Sequence, residues 1–280
     1  MSKVIDETIS VGNAGSKRTS GWLGARLVDP LLDTTKKLSL VVALFLVWEL
    51  AVWSGVVNRQ LFPPPSAVGR SIIELAQLGI LWNDIQASIV RITIGFAIAT
   101  AVAMVLAIIL SRSDRLAGYV MPIIDLLRPI SVIAWIPLAI LWFGIGDKPA
   151  WFIIFLGAFF PIFTNTYLGF RSVDSVHTQV AECLGAGRSL FIKEVLIPSA
   201  LPYILTGMRI GLGVGWMCVI AAELIAANSG LGYMIQLART LIETEKVIGG
   251  MIVIGVIGFC MNHLMVYAER KLTPWRHGER

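Results

Sequence analysis

Charge is scarce in this chain. Only 15% of its 280 residues are Asp, Glu, Lys or Arg, whereas soluble domains carry roughly 25%, so a soluble globular enzyme is excluded. The three cysteines, Cys183, Cys218 and Cys260, lie far apart with no CxxC spacing, which indicates neither a disulfide framework nor a zinc site. No Gly-Lys dipeptide occurs, so a Walker A phosphate cradle is missing and any ATP must be bound by another chain. His177, His263 and His277 have no partners at ligand spacing, and no metal is expected. HExxH and a Ser-Lys pair within an apolar run are also missing, which argues against an intramembrane enzyme.

What the chain has is apolar sequence: 56% hydrophobic residues and a mean hydropathy of +0.77. A membrane-crossing helix needs about 20 mostly apolar residues, and six such windows occur. They are Leu38 to Val57, Ile85 to Leu110, a proline-broken stretch from Leu116 to Gly144, Trp151 to Phe170, Tyr203 to Ile225, and Val247 to Tyr267. The expected fold class is an all-α membrane protein with six transmembrane helices. Residues 1–37 form a polar tail, 38–267 the six-span domain and 268–280 a second tail. The leader is too long, and its apolar run too late, for a cleavable signal peptide. Its weakly amphipathic patch at Trp22 to Leu32 is expected along the inner membrane surface.

The net charge is +5, yet the basic residues sit at the ends of apolar runs rather than on one polar surface, so nucleic acid is not a partner. Fifteen of the 23 Lys and Arg fall in the two tails and the connections after the second and fourth windows; five fall in the alternate connections and three within spans. The positive-inside bias therefore predicts both termini in the cytoplasm.

Three features go beyond a generic six-span protein. The third window carries Pro122, Pro129 and Pro137, and each removes a backbone donor and crowds the preceding turn. Irregular backbone at membrane depth is tolerated where it is buried in protein or lines a water-filled cavity, so this stretch is a candidate pathway wall. Within it Asp125 and Arg128 either pair on one helix face or both sit at the inner water boundary. The fifth window repeats Gly207, Gly211 and Gly215, a smooth strip that predicts close helix packing. The connection 171–198 reads as two short helices turning at Gly185 and stopped by Pro198, a knob for another protein's groove. On the other side, Pro63-Pro64-Pro65 leads into a short helix with Ser66 as N-cap and Ile72, Ile73, Leu75 and Ala76 as its apolar face, expected to lie flat at the outer interface.

The segment Gln179-Val180-Ala181, then Gly185, Val195 and Ile197-Pro198 resembles the EAA loop of bacterial ABC importer permeases, with Gln179 and Val180 departing from the usual Glu and Ala. Arg128 to Ser131, Ala134 to Leu138, Trp142 to Gly146, Leu205 to Gly211 and Ala221 to Ala226 resemble the nitrate, sulfonate, taurine and bicarbonate permeases. Gly211 to Leu224, the Gly230-Leu231-Gly232 turn and the tail Lys271 to Trp275 are most similar to taurine permeases.

The resemblance implies the type I ABC importer permease fold and a subunit of a bacterial inner-membrane importer that is not itself an enzyme. Its partners would be a second permease copy, two ABC ATPase subunits carrying ATP and magnesium, and a periplasmic binding protein. Gln179, Ala181, Glu182, Gly185, Val195 and Pro198 would couple to the ATPase. The transported solute would be a small oxyanion, taurine or another alkanesulfonate, with nitrate, bicarbonate or cyanate as alternatives. Arg128, Ser131, Trp135, Asn165 and Glu223 are the polar or amphipathic residues a pathway could use. Asn165 could instead make an interhelical hydrogen bond, and Glu223 could be a gate or packing residue. Arg91, only six residues inside the outer end of its span, is expected to snorkel to the interface. A secondary transporter or channel would need its own coupling-ion site, yet the spans hold few acids and no inverted repeat.

Overall fold

The computed structural model describes residues 39, 42–55, 58–172, 183–184, 187, 190 and 192–274, and the described residues are helical with no strand. The chain divides into two units, Met1–Val57 and Asn58–Arg280. In the first, helix α1, Val42–Trp53, is apolar and exposes Leu44, Val47 and Leu50. By itself it is shorter than the ~20 residues a crossing needs.

The second unit begins with α2, Pro65–Gln77, and α3, Ile80–Ser111. Then come α4, Asp114–Leu127, a 3₁₀ turn at Val132–Trp135, α5, Ile136–Phe143, and α6, Asp147–Arg171. A π turn at Ile192–Leu196 runs into α7, Ile197–Ala226, and α8, Leu231–Thr240, and α9, Thr244–Leu272, follow. Among the described residues α3, α6, α7 and α9 are long and apolar enough to cross a membrane; even the 25 residues of α6 reach ~37 Å at helical rise. The third predicted span is a broken one, α4 and the Val132–Phe143 segment meeting at 89°.

Of its three prolines only Pro129 lies at that break. Pro122 stays inside α4, and Pro137 occupies the first turn of α5, where a missing N–H has no intrahelical partner to lose. Pro198 is likewise no stop: it stands in the first turn of α7, which the π turn joins directly, so Ile192–Leu196 and the fifth span form one continuous helix. For α2 the N-cap is Pro64 rather than Ser66, because consecutive prolines pre-set the extended entry and start the helix at Pro65. Its face also turns inward. The Ser71 hydroxyl donates to the Glu245 carbonyl at 3.0 Å and Leu75 is buried, whereas Ile73 is exposed.

Helix α6 packs most extensively, with α3 on one side and α7 on the other, and small residues make both contacts possible. On α3, Ala99, Ala103 and Ala107 recur every fourth residue with no exposed surface. On α7, a Cβ added at Gly207 would lie 2.8 Å from the Asn165 Cβ and 3.2 Å from the Pro161 carbonyl; one at Gly211 would lie 3.0 Å from the Ala158 carbonyl. The glycine strip therefore serves packing against α6 within the chain, as its spacing predicts.

Candidate functional site

Where α3 and α6 begin and α7 ends, the bundle buries a charged cluster. Asp84, Ser88 and Arg91 recur at i, i+4 and i+7, which puts them on one face of α3. All three are buried, as is Glu223 of α7 at 1% exposure. The Glu223 carboxylate accepts from Ser88 Oγ at 2.8 and 2.9 Å, from Arg91 Nη1 at 2.8 Å and from the Gly232 N–H at 2.9 Å. Arg91 also donates Nε to Asp147 at 2.7 Å, Nη1 to the Ser229 carbonyl at 2.6 Å and Nη2 to Ser229 Oγ at 2.7 Å. Asp84 accepts from the Gly230 N–H at 2.8 Å, and Ser88 Oγ from the Leu231 N–H at 3.0 Å.

The cluster thus satisfies the otherwise partnerless N–H groups at the start of α8 and ties that helix to α3 and α7. Gly230 is required twice over: its φ is +106°, and a Cβ there would overlap the Glu223 carboxyl and Arg91 guanidinium. Arg91 does not snorkel. Its acids lie far along the chain, at Asp147 and Glu223, and local spacing could not reveal them.

The other predicted pathway residues gather around the bend. Arg128 and Asn165 line one cavity of about 320 Å³, whose walls include Val132, Gly157, Pro161 and Val214. Pro161 has no N–H to offer the Gly157 carbonyl, so backbone polarity faces this space as well. Arg128 is exposed and forms no ion pair among the described residues, so the alternative in which it pairs with Asp125 is overturned. Asn165 donates to the Pro161 carbonyl of its own helix at 2.8 Å, not across helices. Ser131 precedes the 3₁₀ turn and is exposed. Trp135, half-buried, meets Phe152 edge-on at 6.4 Å. Glu223 belongs to the charged cluster instead.

Of the coupling residues, Val195 sits in the π turn and Pro198 in the first turn of α7. Gln179, Ala181, Glu182 and Gly185 lie outside the described residues.

Apolar helices around a broken span, with an unpaired arginine in a cavity at the break, describe a membrane-embedded transport subunit. Residues 99–274 match the family described as binding-protein-dependent transport system inner membrane component, and the chain belongs to that family. The taurine transport system permease protein TauC of Escherichia coli K12 is 36% identical over 252 residues, covering 88% of this chain and 91% of that protein. The putative aliphatic sulfonates transport permease protein SsuC of Bacillus subtilis 168 is 36% identical over 242 residues, covering 86% and 88%.

Among solved structures, the MetNI methionine ABC transporter in inward-facing form aligns with a TM-score of 0.56 at 18% identity, covering 70% of this chain and 96% of that one. The fold is therefore that of type I ABC importer permeases. The chain is a multi-pass permease subunit of an ABC importer, a class that works with ATPase and substrate-binding subunits.

Proposed function

We propose that this permease forms a homodimeric path for taurine or another alkanesulfonate, nitrate, bicarbonate and cyanate being the alternatives, with both termini in the cytoplasm. The observation that carries this reading is Arg128: exposed in the cavity at the bend beside Asn165, it leaves a positive charge free for an anion. Similarity to TauC and SsuC favours a sulfonate.

Two ATPase subunits bind ATP and magnesium, grip the 171–198 loops of the two permeases, and swing them between inward-open and outward-open states as ATP is bound and hydrolysed. This is rigid-body switching of a bistable assembly. A periplasmic binding protein delivers the solute. The permease itself makes and breaks no covalent bond.

The test is uptake of labelled taurine into proteoliposomes holding the whole complex and its binding protein. ATP-dependent accumulation supports the reading, and its failure with taurine and alkanesulfonates alongside uptake of nitrate or bicarbonate overturns the substrate. Arg128→Gln should cut uptake about tenfold or more, the scale of one lost charged hydrogen bond, while the complex stays assembled. Unchanged uptake would remove Arg128 from the path.

Gly185→Val should leave the permease inserted but lower the yield of co-purified ATPase, because a β-branched side chain disturbs the turn assigned to that glycine. Pull-down at wild-type yield would count against the loop's role.

A further inference from the structure

The geometry points to a second anion contact, at Arg239 with Gln236, beyond the bend from Arg128. A cavity of about 570 Å³ is walled by Ile133, Ala221, Leu224 and Ile225, and its polar groups are Gln236 and Arg239 of α8. Three residues apart, these two share a helix face. Arg239 is exposed and forms no ion pair or side-chain hydrogen bond among the described residues.

This cavity and the one at Arg128 are walled in part by the same two elements. Val132 lines the first and its neighbour Ile133 the second, and α7 walls both, with Ile210 and Val214 in one and Ala221 and Leu224 in the other. Those four α7 positions fall within one strip of the helix at 100° per residue. Val214 and Ala221 are ~10 Å apart along it. An anion moving along the strip therefore leaves one unpaired guanidinium and meets another.

A third cavity, about 310 Å³, also touches an arginine, Arg91, but there Glu223 and Asp147 already neutralise it. Among the described residues no acid lines the Arg239 cavity, and apolar walls focus the uncompensated charge. Two single-arginine stations, rather than a closed cage, suit a path where the ion must bind and also leave. The ligand class is a small oxyanion, a sulfonate above all; a lipid phosphate shares that chemistry and must be separated by experiment.

The proposal rests on the permease reading, but its test does not depend on uptake. In full-length protein carrying Cys183→Ser and Cys260→Ser, Ile225→Cys places a thiol in the cavity wall. Its labelling rate by anionic 2-sulfonatoethyl methanethiosulfonate is divided by that with the cationic trimethylammonioethyl reagent. Arg239→Gln should lower this ratio about tenfold, the lower end of focusing by a charged cleft. Arg239→Lys should retain most of it, and Leu78→Cys, exposed in the turn between α2 and α3 and outside the cavity, should show no change. Millimolar methanesulfonate should slow the anionic reagent at Ile225→Cys.

A ratio unmoved by Arg239→Gln, or one falling equally at Leu78→Cys, overturns the assignment. So does suppression by added phosphatidylglycerol but not by methanesulfonate, which would make the ligand a lipid headgroup. Failure of taurine uptake alone would strike the transport reading and leave this charge ratio as measured.

Discussion

Arg91→Ala should destabilise the permease by about 3–5 kcal/mol, the scale seen when one partner of a buried ion pair is removed. The loss arises mainly on the other side of the pair. Glu223, at 1% exposure, would lose its cationic partner in an apolar surround and keep only Ser88 and the Gly232 N–H as hydrogen-bond donors. Asp147→Asn is the contrast. The Asp147 side chain is 56% exposed, water screens its attraction to Arg91, and the expected cost is below about 1 kcal/mol.

Glu223→Gln should fall between them, since the amide oxygen can still accept hydrogen bonds while the guanidinium keeps Asp147. Thermal unfolding of the detergent-solubilised permease measures all three. If Arg91→Ala and Asp147→Asn melt together, the cluster is not the tie between α3, α7 and α8 that its geometry describes.

The second large effect lies at the α6–α7 contact. Gly207→Val should cost about 1–3 kcal/mol or more, the range for overpacking a filled interior. Its Cβ position already meets the Pro161 carbonyl at 3.2 Å and the Ile162 Cα at 3.3 Å. These are backbone atoms of a packed helix and cannot rotate aside. Gly213, six residues on in the same helix, has nothing among the described residues within 4 Å of its Cβ position. Gly213→Ala should be neutral or stabilise by up to about 1 kcal/mol, the helix-propensity difference. Equal melting of the two variants would mean that α7 does not seat on α6 through this strip.

Much of the architecture was legible because burial in lipid writes itself locally: long apolar runs, a proline at a break and glycines at fourfold spacing each act within a few residues of themselves. Even so, the local signals at Ser66 and Pro198 do not mark the helix ends, because consecutive prolines and a continuous π-to-α helix decide those boundaries. The candidate site was legible in part. Arg128 and Asn165 could be named as pathway polar groups, but that they share a cavity depends on how α6 lies against the bend. Arg239 lies in the connection between the fifth and sixth windows, and its neighbours in sequence carry no local sign that it faces the same strip of α7.

The sequence by itself determined that this chain lives in a membrane and the family it resembles, because hydropathy and short motifs are properties of contiguous residues. Tertiary structure decided which charges are spent and which are free. Arg91, Arg128 and Arg239 have the same chemistry, and only the folded neighbours differ. Glu223 and Asp147, brought from distant parts of the chain, neutralise the first, whereas no such acid reaches the other two among the described residues. Coulomb attraction depends on separation in space, and separation along the chain does not set it.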